Sequence, residues 1–202
     1  MNRQRLRKIA KKYEKKDVLY KAEEIERRVR KVSHIIAKAH RGTKDLVLVG
    51  VLNGAAIFTR DLLFFLHEFG MSPQLGFIGM SLFDDSNKRR LDGPRITSPL
   101  SIDVTEKTVM VAEDVIETGD TMRLLIKHLK SLGVRKVEIV TVMANYGFKP
   151  NKFGLPKTHI CFRKIPEHFI AGYGMDNKGM DRGYPHIYRV YAKGQPRPVG
   201  QF

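Results

Sequence analysis

The chain of 202 residues carries 37 Lys and Arg against 21 Asp and Glu, giving a net charge of +16 and a pI near 10.0. That length is one ordinary domain with room for a sizeable core. A single cysteine excludes an internal disulfide framework, seven scattered histidines give no zinc-ligand spacing, and no apolar run is long enough to span a bilayer.

In chain order, the first forty residues hold fourteen Lys and Arg but five acids, and Met1 to Tyr13 hold no acid. This basic extension, about residues 1–19, reads either as an arm attracted to nucleic acid or anionic lipid, or as a solvated tail. Its Arg-rich, acid-poor composition is also that of a mitochondrial presequence, although the serine enrichment of one is missing. A domain over residues 20–195 follows, with 196–202 as a C-terminal tail. Ile25, Val29, Val32 and Ile36, at near 3.6 spacing, predict its first helix. Leu46 to Val51 reads as a strand, Asn53-Gly54 as a turn, and Ala55 to Phe69 as a helix ended by Gly70. Gln74 to Met80 is the next predicted strand. Residues 83–98 are polar and broken by Gly93-Pro94, so they read as a long loop, either a lid or a passive connection.

An apolar run from Thr108 to Ala112 predicts a short buried strand. Glu113 and Asp114 stand at its end, and Thr118-Gly119-Asp120-Thr121 forms a hydroxyl-and-glycine turn. Met122, Leu124, Leu125, Ile126, Leu129 and Leu132 then predict a helix capped by Gly133. Lys136 to Met143 is another predicted strand; from Tyr146 onward come short strands and turns rich in Gly and Pro. Cys161, inside Ile160-Cys161-Phe162, reads as a buried core residue. Alternating strands and helices imply an α/β fold with a mostly parallel central sheet flanked by helices.

The turn after the acid pair suits a sugar phosphate. Loop amides and a helix N-terminus attract the phosphate, Thr118 and Thr121 add hydroxyls, and the acids take ribose hydroxyls or a magnesium ion. A solvated strand end followed by an ordinary helix cap is the plainer reading.

This stretch, Thr108 to Thr121, resembles the signature of the purine phosphoribosyltransferases. Leu46-Val-Leu-Val-Gly-Val-Leu-Asn-Gly54 resembles that family's pyrophosphate loop. Pro166-Glu-His-Phe169-Ile170-Ala-Gly-Tyr-Gly-Met-Asp176, with Arg182 six residues on, resembles the purine-binding segment of its hypoxanthine-guanine branch. The resemblance implies a type I phosphoribosyltransferase-like fold with a small hood, mainly residues 146–190. It further implies transfer of 5-phosphoribosyl from phosphoribosyl pyrophosphate (PRPP) to a 6-oxopurine, with Mg2+ as cofactor and a homodimer or homotetramer as assembly.

Residue by residue, the resemblance assigns PRPP binding to Glu113, Asp114, Thr118, Gly119, Asp120, Thr121, Asn53, Gly54 and Arg182. Purine binding falls to Phe169, Ile170, Lys149 and Asp176, and magnesium to Glu113, Asp114 and Asp176. Glu117 takes the place of the family's catalytic aspartate, with one methylene more. Other departures are Asp120, an acid inside the phosphate turn, and Asn53, where relatives carry Lys or Arg after a cis peptide. Leu82 stands for the lid tyrosine, and Asn145 for the purine-selecting lysine. Either Lys149 reaches the purine O6 in its stead, or selectivity for 6-oxopurines is lost. The altered positions and the basic charge leave a second reading open, a scaffold or RNA-binding subunit of a ribonucleoprotein such as a mitochondrial ribosome. The expected compartment is the cytoplasm, with the mitochondrial matrix as alternative.

Overall fold

The structure is a computed structural model and describes residues 17–82, 91–100, 102–145, 148–165 and 168–191. The acid-free basic stretch, the tail over 196–202 and the first half of the predicted loop (83–90) therefore lie outside the described residues.

Strand β2 (Leu46–Leu52), β3 (Gln74–Ser81), β5 (Thr108–Ile116), β6 (Lys136–Ala144) and β7 (Thr158–Phe162) run parallel in one sheet. Its order is β4-β3-β2-β5-β6-β7, with β4 (Arg95–Ser98) antiparallel at the edge. Helices α1 (Ala22–Ala39) and α2 (Ala56–Glu68) cover one face, and α3 (Asp120–Ser131) the other.

Sequence explains why both faces must be covered. Leu46 and Leu48 pack with Ile25, Val29 and Ile36 of α1 and Phe58, Leu62 and Leu66 of α2. Their neighbours Val47 and Val49 point the other way, onto Met122, Leu125 and Leu129 of α3. Adjacent strand residues face opposite sides, so an unbroken apolar strand is stable only between two helical layers. Cys161 lies in the first of these cores, and burial pushes its thiol up to about 12. It is inert packing.

Four features depart from the sequence reading. β5 continues four residues past Ala112, because Glu113, Val115 and Ile116 pair with Thr141, Met143 and Ala144 of its neighbour β6. The acid pair thus sits on the strand, held by its ladder. The last four residues of the predicted loop are β4, pairing Met80 with Ile96 and Ser81 with Arg95. Three exposed polar residues around one half-buried Ile96 carry too little apolar alternation to read as a strand, and only a partner edge makes them one. Asp17–Tyr20, at the junction of the basic extension and the domain, is a strand, β1, not a tail. It joins β8 (Phe169–Ala171) and β9 (Ile187–Val190) in a separate antiparallel sheet of order β1-β9-β8, the hood. Thr158–Phe162, expected within the hood, is the last strand of the main sheet.

The hood is seated on the main sheet by close backbone contact. Gly174, at φ +101°, lies so near the turn after β2 that a Cβ there would stand 2.0 Å from the Gly54 carbonyl oxygen. Only glycine tolerates both the left-handed backbone and that approach. Beside it, the buried Tyr173 hydroxyl donates to Asp61 Oδ2 of α2 at 2.9 Å. Among the described residues, no helix is long and apolar enough to cross a membrane.

Candidate functional site

Parallel strands aim their carboxyl ends at one edge of the sheet, where ligands bind in open α/β folds. Here the ends of β2 and β5, the rim of β3 and β4, and the hood enclose a cavity of about 760 Å³. Asn53, Gly54, Glu113, Asp114, Glu117, Thr118, Gly119, Asp120, Thr121, Phe169, Ile170, Asp176 and Arg182 all line it. Residues from five separate stretches of chain converge on one space.

On the floor, Glu113 is only 6% exposed. Its Oε1 accepts the Asp114 backbone N–H at 3.1 Å, and Asp114 Oδ1 accepts the Val115 N–H at 2.7 Å. Burial, and then the adjacent Asp114 charge, push the Glu113 carboxyl well above the usual carboxylate range. The Leu52–Asn53 peptide is cis. A Cβ on Gly54 would lie 2.0 Å from Asp114 Oδ2, so the turn after β2 rests directly on the acid pair.

One wall is the turn into α3. Gly119 takes a left-handed backbone, φ +77°, and serves as N-cap without a capping side chain. The amides of the first turn of α3 therefore begin at the cavity, with the partial positive charge of a helix N-terminus. Glu117 is exposed at the cavity surface. Thr118 Oγ1 donates to Asp120 Oδ2 at 2.7 Å.

Arg123, which no sequence motif singled out, resolves the oddity of an acid in this turn. Its guanidinium pairs with Asp120 Oδ1 and donates to the carbonyl oxygens of Thr118 at 3.2 Å and Phe153 at 3.1 Å. The Asp120 charge is compensated, and the turn is tied to the segment after β6. The signal was available: an Asp and an Arg three apart in a predicted helix face each other.

The opposite wall is the hood. The Phe169 ring is 61% exposed, so it is no core residue; it offers an open aromatic face to the cavity. Arg182 is fixed by two bonds, Nη1 to the Gly174 carbonyl at 2.8 Å and Nη2 to Asp176 Oδ1 at 2.9 Å. Asp176 Oδ2 also accepts the Gly179 N–H at 2.7 Å. Ser81 and Leu82 stand at the rim beside Thr97 and Ser98 of β4. The last two hydroxyls were missed because their strand reads as loop.

Lys149 is not brought to the cavity. After β6 the chain turns away: Phe148 is buried against α3 and stacks on Phe153 at 4.9 Å, and Pro150–Phe153 form a 3-10 turn. Lys149 caps that turn, exposed, with its carbonyl accepting the Lys152 N–H at 2.9 Å. The assignment of Lys149 to a purine site is thereby corrected: the buried Phe148 anchors its neighbour outside.

The carboxylates of Glu113, Asp114 and Asp176 are hard oxygen donors suited to magnesium. Among the described residues, no group of three or more His, Cys, Asp or Glu side chains is placed to hold a metal by itself. A divalent cation fits here only with further oxygens from a ligand, and it would relieve the unfavourable charge of the buried Glu113.

Comparison with known proteins agrees with this geometry. Residues 19–178 match the phosphoribosyl transferase domain family. A hypoxanthine-guanine phosphoribosyltransferase of Staphylococcus aureus (strain Mu50) is 30% identical over 174 residues, covering 85% of this chain and 92% of that protein. The crystal structure of a hypoxanthine phosphoribosyltransferase from Staphylococcus aureus superposes with a TM-score of 0.73 at 27% identity, over 90% of this chain and 94% of that one. A hypoxanthine-guanine phosphoribosyltransferase from Bacillus anthracis gives 0.72 at 26% identity, over 87% and 98%.

Proposed function

Since the chain belongs to the phosphoribosyltransferase family, we propose that it transfers the 5-phosphoribosyl group of PRPP to N9 of hypoxanthine or guanine, releasing pyrophosphate. One observation carries this reading. The Glu113–Thr121 segment and the Phe169–Arg182 loop face each other across a single cavity of about 760 Å³, room for a base and a phosphorylated sugar together.

The roles follow from the chemistry each residue offers. The first-turn amides of α3 and the Thr118 and Thr121 hydroxyls receive the 5′-phosphate, with Gly119 allowing close approach. Arg123 cancels the Asp120 charge that would repel a dianion there. The acid pair holds the ribose hydroxyls, and Phe169 stacks on the purine. As the C1′–O bond to pyrophosphate breaks, the N9 lone pair forms the new bond to C1′, and the Glu117 carboxylate accepts the proton from N7. Arg182, prepositioned by Gly174 and Asp176, stabilises the departing pyrophosphate. Magnesium, held by carboxylates among Glu113, Asp114 and Asp176, supplies charge neutralisation of the diphosphate when bound.

The test is direct. Purified protein with PRPP and magnesium is given hypoxanthine, guanine or adenine, and nucleotide and pyrophosphate are measured. Nucleotide from hypoxanthine or guanine but not adenine is expected; no nucleotide from any base overturns the reading.

A further inference from the structure

A second cavity, of about 700 Å³, opens at the other end of the sheet, beneath the C-termini of α1 and α2. Its wall combines Lys38, Arg41 and Lys44 with the rings of His34 and Phe69 and the hydroxyls of Thr43 and Ser72, and it includes no acidic residue. No carboxylate among the described residues pairs with any of these three cations. Elsewhere on the same helices the arrangement differs: Arg28 pairs with Glu24, and Arg30 with Glu68 at 2.9 Å.

Helix-end compensation accounts for part of this charge. Each helix C-terminus carries about half a negative charge, so the two ends together offset about one of the three cations. Roughly two positive charges remain, converging on one concavity whose low-dielectric walls focus their field. Apolar surface is part of the same wall: Phe69 is half-buried there, its ring 5.0 Å from that of His34 in an edge arrangement. Cations, hydroxyls and an aromatic surface in one cavity match a compact polyanion on a flat carrier better than an extended backbone.

We propose that this cavity binds a small di- or triphosphate anion, of the nucleoside polyphosphate class, at a site distinct from the one formed by Glu113–Thr121. Lys38, Arg41 and Lys44 grip the phosphates, and His34 and Phe69 flank the carrier. The inference does not depend on the transferase reading.

Calorimetric titration of the full chain with tripolyphosphate, and separately with ATP, tests it. Two binding events per chain are expected, one in each cavity. Both weaken with added salt. The variant Lys38→Gln/Arg41→Gln/Lys44→Gln should lose one event, its affinity falling about a hundredfold, and keep the other, with an unchanged melting temperature as a check on folding. If the Glu113–Thr121 cavity takes no phosphate compound, a single event that vanishes in the variant still supports this site. ATP is expected to bind tighter than tripolyphosphate, because the rings meet the carrier; equal affinity overturns the nucleoside assignment. Two events that persist in the variant overturn the proposal. So does a variant that loses affinity only for a twelve-nucleotide RNA.

Discussion

Two glutamates on adjacent strands are almost equally buried and are treated in opposite ways. Glu113, toward the carboxyl end of β5, is 6% exposed; Glu138, near the start of β6, is 1% exposed. Around Glu138 the protein supplies its own positive charge. Oε2 lies 3.3 Å from His40 Nε2, 3.2 Å from His159 Nε2 and 3.4 Å from Lys157 Nζ, and Oε1 lies 2.7 Å from Lys136 Nζ. Burial alone would raise the Glu138 carboxyl, but Lys136, His159 and His40 hold it down at about 2. Glu113 has instead a second carboxylate as neighbour, and burial with that charge drives it up. A charge that serves the fold is balanced within the fold. On the proposed reading, Glu113 is instead a charge kept for a ligand, costly until that ligand brings a cation.

The widest break in that symmetry should be catalytic. Glu113→Gln with Asp114→Asn is expected to cut kcat/KM by about 10²- to 10³-fold, as loss of preorganised charge in an active site does. Stability should move the other way. Because the folded Glu113 is raised, its protonated form is favoured below the ordinary carboxylate range, and that advantage is lost as pH rises through the raised value. Glutamine cannot ionise, so Glu113→Gln should gain in melting temperature over the parent as pH rises; a gap that shrinks would contradict this.

Glu138→Gln should invert both results. Removing the anion leaves its cations unpaired and should cost about 2–4 kcal/mol at pH 7 by urea unfolding. With a lowered folded value, this stabilisation is present above the ordinary carboxylate range and lost as pH falls through about 2. The deficit of the variant should therefore narrow in acid, while kcat at saturating substrate changes less than about twofold.

Smaller effects sharpen the contrast within the phosphate turn. Arg123→Gln uncovers the Asp120 carboxylate, and KM for PRPP should rise about tenfold with kcat little changed. Adding Asp120→Asn should restore most of the loss, because the repulsion leaves with the charge. Smallest of all, Lys149→Ala should leave the ratio of guanine to hypoxanthine turnover within about twofold, since that side chain lies outside the cavity.

Much of the site was legible in the sequence because its parts are local. An apolar strand, two acids, a Thr-Gly-x-Thr turn and a helix start within fourteen residues place an acid pair and a helix N-terminus side by side through local backbone geometry. Phe169, Asp176 and Arg182 were legible as a segment, and Gly54 as a turn. The reading lost accuracy wherever a residue's environment comes from distant chain. Ile96 and Thr97 became strand because β3 offered an edge. Lys149 was carried off by Phe148 entering the core beside α3. The basic cavity gathers residues from two helix ends that no sequence period connects.

Hydrophobic period and turn chemistry, which act over a few residues, determined from the sequence by itself that this is a layered α/β chain with a hydroxyl-and-glycine turn at a helix N-terminus. Only the tertiary structure decided which charges are balanced. It ringed Glu138 with His40, Lys136, Lys157 and His159, and buried Glu113 with no compensating cation among the described residues. His40 and His159 stand 98 and 21 positions from Glu138, and the strength of a charge depends on the burial and partners that folding alone provides.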